Sequence, residues 1–273
     1  MNRPKDNFLF ITYDSCRYDV LRDAKTPVLD TYCEIHKAQT PACFTYAAHH
    51  AFFVGILPCS VENIPFYNRF SKQLLALKDV GETNVVKDAQ YRVDSDVNLI
   101  TGMRDAGYQT VGAGAMNWFK QKSLTLGYEK FKVTGKNADM QIDYLLEEIR
   151  TSDPFFAFIN FGETHAPYTY AGKATPCPIT VRARNMTWPP VESGPVGRDC
   201  VAYDHQVEAA EFLDGRIGRL FSNLPKNTTV ILCGDHGECF GEDGYWGHGI
   251  NHPKVWEVPL AIFRLDHKEV GIE

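Results

Sequence analysis

Short apolar runs alternate along the chain with longer amphipathic segments, and this pattern predicts strands that alternate with helices. The runs predicted as buried strands are 7–12, 109–113, 155–161, 228–233 and 259–263. The segments predicted as helices are 97–106, 138–150 and 203–221. In 138–150 the apolar residues recur at helical spacing, and Pro154 ends the pattern. The alternation favours an α/β fold, a three-layer α/β/α sandwich around a central, mostly parallel sheet.

Two stretches do not follow this alternation. Residues 78–96 are polar and predict a loop. Residues 169–200 are rich in proline and glycine, and they predict a lid-like insertion over the surface of a single domain that spans 1–273. Arginines and aromatic side chains in this insertion suit an anionic or planar small molecule, with a solvated surface loop as the equally weighted alternative. The arginines are Arg182, Arg184 and Arg198.

Composition narrows the class of protein. Of the 273 residues, 44% are hydrophobic and 23% charged, which is typical of a soluble globular protein with a sizeable core. A net charge of −6 argues against broad nucleic-acid binding. The first apolar run has only the length of a strand, and no run approaches the roughly 20 residues of a membrane span. We therefore expect a cytoplasmic protein with neither a nucleic-acid nor a membrane partner, and its oligomeric state stays open.

The eight cysteines are spread along the chain without a C-x-x-C pair. This spacing favours reduced, mostly buried thiols over a disulfide scaffold or a zinc site.

Acidic and imidazole side chains follow three of the predicted strands. Taken singly, an aspartate at a strand end is more often a helix cap, and a histidine is more often structural. Because the carboxyl ends of parallel strands meet at one edge of a sheet, however, we expect these groups to converge. Converging carboxylates repel one another unless a cation lies among them, and a divalent metal would fit. The residues are Asp14, Glu163, His165, Asp235, His236 and His248.

Five segments together resemble the alkaline phosphatase/sulfatase superfamily, in the order in which that superfamily carries them. The most specific resembles its metal-binding Asp-His-Gly-Glu block with a distal His-Gly. The resemblance implies an alkaline-phosphatase-like fold and one sulfatase-like catalytic domain. The segments are FLFITYDSCRYD, LITGMRDAGYQTVGAG, PFFAFINFGETHAPY, AEFLDGRIGRL and ILCGDHGECFGEDGYWGHG.

The resemblance also places the nucleophile. In sulfatases it is a cysteine ten residues before a Gly-x-x-Pro pattern, which here begins at Gly55, and counting back gives Thr45. The surrounding residues do not match C-x-P-S-R, and Cys43 is out of register, so a formylglycine nucleophile is not expected. Thr45 is also a reasonable helix N-cap, and capping alone is the alternative role. A helix N-terminus would favour negative charge at this position.

Three further positions depart from the sulfatase pattern. His49 stands in place of the motif's arginine, four residues from Thr45 and hence on the same helical face. Ala115 and Asn117 replace the lysine and histidine of the G-K-W-H pattern. Asn117 is expected to donate to a substrate oxygen or to have a structural role in its loop.

The resemblance implies one tight metal site. Its ion would be Mn²⁺ or Zn²⁺, with Ca²⁺ or Mg²⁺ as alternatives, and a weaker second ion stays open because no D-x-x-x-H pair is present. Glu163 and His165 are the only candidates near that second position. The expected ligands of the tight site are Asp14, Thr45, Asp235 and His236.

Substrate binding is assigned to four other residues, and three charged residues are left with open roles. Glu238 and Glu242 are expected at the surface or beside the ligands, and Arg17 as a substrate contact or a salt-bridge partner. The expected substrate-binding residues are His165, His248, Asn117 and His49.

These assignments predict a metal-dependent hydrolase or transferase that cleaves a phosphoester or phosphonate through a covalent Thr45 intermediate. The expected partner is a small anionic ester, and the residues do not identify its leaving group. Two alternatives stay open: a sulfate ester hydrolase without formylglycine, and an inactive superfamily scaffold used for binding.

Overall fold

The computed structural model describes residues 6–55, 98–174 and 195–266, together with two short strands between the first two ranges. The helices are α1 (Tyr18–Asp23), α2 (Thr45–Val54), α3 (Leu99–Asp105), α4 (Lys122–Thr125), α5 (Ala138–Glu148), α6 (Val201–Asn223) and α7 (Pro253–Trp256). The strands are β1 (Asn7–Tyr13), β2 (His36–Gln39), β3 (Ala76–Lys78), β4 (Arg92–Asp94), β5 (Gln109–Gly114), β6 (Lys130–Val133), β7 (Phe155–Phe161), β8 (Thr169–Tyr170), β9 (Lys173–Ala174), β10 (Thr228–Gly234), β11 (Cys239–Phe240), β12 (Trp246–Gly247) and β13 (Glu257–Arg264).

A seven-stranded sheet has the strand order β2-β13-β10-β1-β7-β5-β6. Its pairs from β10 to β6 are parallel, whereas β13 runs antiparallel to both β10 and β2. Both β5 and β7 are buried along their whole length, which explains why they appear in the sequence as continuous runs rather than as alternating patterns. The predicted mostly parallel α/β sheet is therefore confirmed.

Helices cover both faces of this sheet and complete the three layers. Along β1, Leu9, Ile11 and Tyr13 contribute to a core shared with α1, α5 and α6. Phe8 and Phe10 point to the other face and pack with residues of α2, α3 and α4. This alternation follows from the two-residue period of a strand, and it places α2 and α6 on opposite sides of the same strand ends.

The sequence predictions located the long elements and missed short ones. All five predicted strands and all three predicted helices are present, with bounds shifted by a few residues at most. The elements without a sequence prediction are β2, β3, β4, β6, α1, α4, α7 and the short hairpin strands. They are short, and β2 and β6 lie at the edges of the sheet and are largely exposed, so no hydrophobic period marks them.

The two irregular stretches fall largely outside the described residues. Within 78–96, Arg92–Asp94 form a strand parallel to Ala76–Lys78, so the loop prediction is wrong there. Within 169–200 the described ends form the β8–β9 hairpin and a 3-10 turn, Gly197–Asp199, whereas 175–194 lie outside. None of the described helices is both long and apolar enough to cross a membrane.

Candidate active site

Two adjacent parallel strands place the centre of the site. Tyr13 of β1 pairs with Gly234 of β10, so the residues that follow them, Asp14 and Asp235, leave the sheet side by side. His236 comes next, and its Nε2 lies 3.9 Å from Asp14 Oδ1 and 3.7 Å from Asp235 Oδ2. All three residues are fully buried, and each offers a ligand atom within 4.8 Å of the others. We call them the acidic cluster.

Thr45 lies beside this cluster and belongs to α2, on the side of the sheet opposite α6. It is the first residue of α2, and its Oγ1 lies 3.4 Å from Asp14 Oδ2 and 3.3 Å from His236 Nε2. The residue in the N-cap position is Phe44, with extended backbone angles, so the prediction that Thr45 caps the helix is wrong. Because Thr45 already belongs to the first helical turn, its hydroxyl is not needed as a cap and points into the cluster.

The cluster has the properties expected of a cation site. Asp235 Oδ1 accepts hydrogen bonds from the backbone N–H of Ser15 and of His236, both at 2.9 Å. Asp235 Oδ2 is buried and has no hydrogen-bond partner. An ionised oxygen buried without a donor is costly, and a divalent cation would remove that cost. The residues therefore fit a metal ion.

Electrostatics lead to the same conclusion. Burial, together with the charge of Asp235, raises the pKa of Asp14 to about 7. Burial likewise raises the pKa of Asp235 to about 7. For His236, burial and the nearby His248 lower the pKa to about 4, so its imidazole is neutral at physiological pH. A neutral imidazole beside two carboxylates that resist ionisation is a ligand set that a cation would stabilise.

Two residues that the sequence analysis did not single out orient the carboxylates. Ser15 adopts a left-handed conformation, with φ of 61°, which turns its N–H toward Asp235 while its Oγ donates to Asp14 Oδ1 at 3.3 Å. Asn160 of β7 donates from Nδ2 to Asp14 Oδ2 at 3.3 Å and to Thr12 Oγ1 at 3.0 Å. The only sequence signal for Asn160 is a polar residue within an otherwise apolar strand.

His49 lies beside the cluster, with its Nδ1 3.7 Å from Asp235 Oδ2. Its Nε2 is 3.0 Å from Thr12 Oγ1 and its Nδ1 is 2.7 Å from the carbonyl oxygen of Thr45. The ring is completely buried, with Phe119 and Phe158 edge-on to it, and burial lowers its pKa to about 3. The prediction that His49 shares a helical face with Thr45 is correct. Its burial and bonded nitrogens support a structural role, not the predicted contact with substrate.

His248 is held from one side by Glu238. His248 Nδ1 lies 3.2 Å from Glu238 Oε1, and the His248 ring centroid is 4.3 Å from that of His236. Glu238 is 1% exposed, so the expectation that it lies at the surface is wrong, and it stands beside the ligands. Because Nδ1 faces Glu238, Nε2 is the ring nitrogen left for a substrate.

His165 lies next to His248, with 5.3 Å between the two ring centroids. Its Nδ1 is 2.5 Å from the carbonyl oxygen of Ala166 and 3.4 Å from the ammonium of Lys136, a residue absent from the sequence assignments. Glu163 does not accompany His165. Its Oε1 accepts a hydrogen bond from the N–H of Ala138 at the start of α5, so it offers no support for a second metal ion there.

The remaining candidates lie away from the cluster. Asn117 is exposed at the start of a 3-10 turn, and among the described residues no hydrogen bond joins its side chain to the cluster. Arg17 is buried and ion-paired to both Asp19 and Glu242, so it is a salt-bridge residue. Glu242 is accordingly that arginine's partner.

The arginines of the predicted lid are only partly described. Arg198 is largely exposed and ion-paired with Asp23 on the surface. Arg182 and Arg184 lie outside the described residues.

The sheet order and this cluster of acidic and imidazole groups at its carboxyl edge define a protein of the alkaline phosphatase/sulfatase superfamily. More specifically, the chain belongs to the sulfatase family, whose model matches residues 70–269. The uncharacterized sulfatase YidJ of Escherichia coli K12 is 28% identical over 195 residues, which are 58% of this chain and 39% of that protein. The chain thus spans about two-fifths of the length of this curated relative.

Solved structures share the fold at low sequence identity. The C-terminal periplasmic domain of phosphoethanolamine transferase EptC from Campylobacter jejuni superposes with a TM-score of 0.59 at 12% identity, covering 96% of this chain and 80% of that one. The phosphonate monoester hydrolase of Agrobacterium radiobacter superposes with a TM-score of 0.57 at 15% identity, covering 96% of this chain and 69% of that one. The Escherichia coli EptC domain in complex with Zn superposes with a TM-score of 0.56 at 14% identity, covering 96% of this chain and 74% of that one.

Proposed function

We propose that this protein is a metal-dependent hydrolase or transferase that cleaves a phosphoester or phosphonate, with Thr45 as its nucleophile. Hydrolysis or transfer of an ester group is the general activity of the superfamily. The observation that carries the finer proposal is the Thr45 hydroxyl, which lies within 3.4 Å of both Asp14 and His236 at the start of α2. Threonine lacks the thiol from which sulfatases form formylglycine, and its hydroxyl is a direct nucleophile for phosphorus.

The ion would be held by Asp14, Thr45, Asp235 and His236. When bound, it supplies Lewis-acid chemistry: it favours the ionised hydroxyl of Thr45 and screens the negative charge of the reacting group. Zn²⁺ and Mn²⁺ are the ions to test first, and the zinc-bound EptC domain of Escherichia coli supports beginning with zinc. A weaker second ion near His165 and His248 stays a hypothesis.

In the proposed reaction the Thr45 oxygen attacks phosphorus in line, a Thr45 O–P bond forms and the bond to the leaving oxygen breaks. The proton of Thr45 passes to solvent when its hydroxyl ionises. The leaving oxygen takes up one proton from the enzyme, and the enzyme regains a proton from the water or alcohol that attacks in the second step. His248, whose Nδ1 is held by Glu238, is the group placed to deliver the leaving oxygen's proton from Nε2. His165 Nε2 is an acceptor, because Nδ1 faces the Ala166 carbonyl oxygen, and it would take a hydrogen bond from a protonated oxygen of the reacting group. Water or an acceptor alcohol then attacks phosphorus and releases Thr45, which makes the enzyme a hydrolase or a transferase respectively.

The test is a substrate panel with protein loaded with Zn²⁺ or Mn²⁺. The panel contains an aryl phosphate, an aryl phosphodiester, an aryl phosphonate and an aryl sulfate, and turned-over protein is analysed by mass spectrometry for a phosphoryl group on Thr45. We expect turnover of a phosphorus ester and an adduct that is absent from a Thr45→Ala variant. Turnover of the sulfate alone would replace this proposal with a sulfate esterase.

Membership of the sulfatase family makes that sulfate arm a necessary part of the panel. The inactive-scaffold alternative is tested by metal analysis of the same protein samples. A chain that neither retains nor gains an ion from Zn²⁺ or Mn²⁺, and that turns over none of the four esters, would be a scaffold.

A further inference from the structure

Two loops at the carboxyl edge of the sheet are joined by hydrogen bonds beside the site. From the loop after β6, the Lys136 ammonium donates to the carbonyl oxygens of His165, Ala166 and Pro167 at 2.6, 3.2 and 3.0 Å. From the loop after β7, Glu163 Oε1 accepts a hydrogen bond from the N–H of Ala138 at 2.7 Å. Each loop thus supplies a charged side chain to the backbone of the other. Charge-assisted bonds of this kind are stronger than neutral ones.

A glycine makes room for the lysine. A Cβ atom on Gly162 would lie 2.8 Å from Lys136 Cγ and 2.8 Å from Ala115 Cβ, closer than real Cβ atoms approach. The aliphatic stem of Lys136 therefore passes over Gly162, next to Ala115, on its way to the 165–167 carbonyls. The small residues at 115 and 162 leave space for a lysine that reaches from the loop after β6, past the end of β5, to the loop after β7.

The three carbonyl oxygens and His165 Nδ1, which is 3.4 Å away, lie around this ammonium. A lysine ammonium has only three donors, so these contacts leave none for a substrate oxygen. The same loop carries His165, whose Nδ1 lies 2.5 Å from the Ala166 carbonyl oxygen. Fixing that carbonyl therefore fixes the plane of the imidazole ring, which faces His248 at 5.3 Å between centroids.

We propose that Lys136 is a positioning residue, which holds the 165–167 loop so that His165, with its Nδ1–H on the Ala166 carbonyl oxygen, presents Nε2 as an acceptor to a protonated oxygen of the substrate's anionic group. This inference rests on the proposed function for the identity of that group as a phosphoryl oxygen. Lys136 acts through His165 and the loop, without touching the substrate.

The inference is tested by phosphate binding to the full chain loaded with Zn²⁺, measured by calorimetry with inorganic phosphate as the probe. Lys136→Met should weaken phosphate binding about tenfold or more, the effect of removing hydrogen bonds to a charged group. Lys136→Arg, which keeps charge and donors, should recover part of that loss. The matched control is Lys132→Met, because Lys132 is an exposed lysine of the adjoining strand whose ammonium lies over the Tyr144 ring instead.

A double-mutant cycle separates positioning from direct contact. If Lys136 acts only through His165, Lys136→Met should add little to the loss already caused by His165→Ala. On an aryl phosphate, the single Lys136 variant should raise KM more than it lowers kcat. Losses that multiply, or phosphate affinity unchanged in the Lys136 variant, would overturn the inference.

Gly162→Ala provides an independent perturbation if Lys136→Met fails to fold. It keeps the charge and forces the lysine stem aside, so it should weaken phosphate binding in the same direction; unchanged binding would contradict the proposed path of the stem. Phosphate binding needs no turnover. A protein that binds phosphate with this mutational pattern but cleaves no ester would refute the proposed function and leave the positioning role intact, and one that cleaves esters without the pattern would do the reverse.

Discussion

Two histidines lie beside the acidic cluster, and their Nδ1 atoms face side chains of opposite charge. His248 has a buried carboxylate, Glu238, at its Nδ1, whereas His165 has a lysine ammonium near the same atom. Burial opposes the charged form of both rings. For His248 the charge and hydrogen bond of Glu238 outweigh burial and raise the pKa, whereas for His165 the charge of Lys136 adds to burial and lowers it well below its usual range.

The difference indicates a division of labour between identical side chains. An imidazole backed by a carboxylate keeps a proton that it can pass to a leaving oxygen. An imidazole beside an ammonium stays neutral, and with its Nδ1 proton turned to the Ala166 carbonyl oxygen it can only accept a hydrogen bond at Nε2. In the proposed reaction, environment rather than residue type assigns each task, as it does wherever one fold needs both an acid and a neutral imidazole.

Removing the Thr45 hydroxyl, on which the proposed roles of both histidines depend, should have the largest effect on activity. Thr45→Ala should lower kcat by at least about 10⁴, the scale seen when a nucleophile is deleted. Thr45→Ser keeps a hydroxyl at the same position and should retain measurable turnover. Both variants should unfold at temperatures near that of the wild type, measured by circular dichroism. Near-full activity of the alanine variant would remove Thr45 from the mechanism and leave the two histidines without a common target.

A series of aryl phosphates with leaving groups of increasing pKa distinguishes the two histidines. His248→Ala should lower kcat by about 10²-fold or more for poor leaving groups and much less for nitrophenol, because only the former need a proton. His165→Ala should lower kcat/KM by a similar factor across the whole series. Equal slopes of log kcat against leaving-group pKa in the two variants would show that the comparison between them is wrong. Glu238→Gln should resemble His248→Ala more weakly.

The charge state of the cluster between them predicts a pH dependence of metal binding. A cation must displace protons from Asp14 and Asp235 below their pKa of about 7, so apparent Zn²⁺ affinity should fall by roughly tenfold or more per pH unit below that value and level off above it. Titration calorimetry in competition with a chelator measures this. An affinity unchanged between pH 5 and 8 would contradict the proton competition.

Without metal, the same two aspartates should make stability depend on pH. A carboxyl group with a raised folded-state pKa stabilises the fold below its unfolded value near 4, and this contribution is lost as pH rises through about 7. Asp235→Asn keeps the acceptor for Ser15 and removes the charge, so at pH 8 the metal-free variant should be more stable than the metal-free wild type by about 2 kcal/mol. Urea denaturation at pH 5 and 8 provides the measurement.

The smallest effect is expected at Arg198, whose ion-pair partner is Asp23 rather than either histidine's neighbour. Arg198 is 59% exposed and pairs with Asp23 on the surface. Arg198→Ala should change the free energy of unfolding by less than about 1 kcal/mol, as surface ion pairs do. Its kcat/KM should stay within about twofold of wild type for a small aryl phosphate. A large rise in KM for that small substrate would place Arg198 beside the reacting group, which neither the surface ion pair nor the lid hypothesis predicts.

Much of the molecule could be predicted from local sequence patterns. The buried strands β1, β7 and β10 appear as continuous apolar runs, and Asp14, Asp235 and His236 stand directly after two of them. Such residues need no distant information, because the carboxyl ends of parallel strands meet at one edge wherever the strands lie. Thr45 was predicted through the resemblance to sulfatases, whose nucleophile stands ten residues before a Gly-x-x-Pro pattern, and here the glycine of that pattern, Gly55 with a φ of 72°, ends α2.

The tertiary structure alone decided what supports these groups. Lys136 reaches His165 because β6, β5 and β7 are neighbours, an order that no period in the sequence records. For Glu238 the sequence left open a place at the surface or beside the predicted ligands, and the 239–248 hairpin decides this by folding His248 back onto it. Burial and charge depend on all the elements packed around a side chain. For this reason the residues of the cluster could be predicted from their own segments, whereas the partners that orient them and set their pKa values could not.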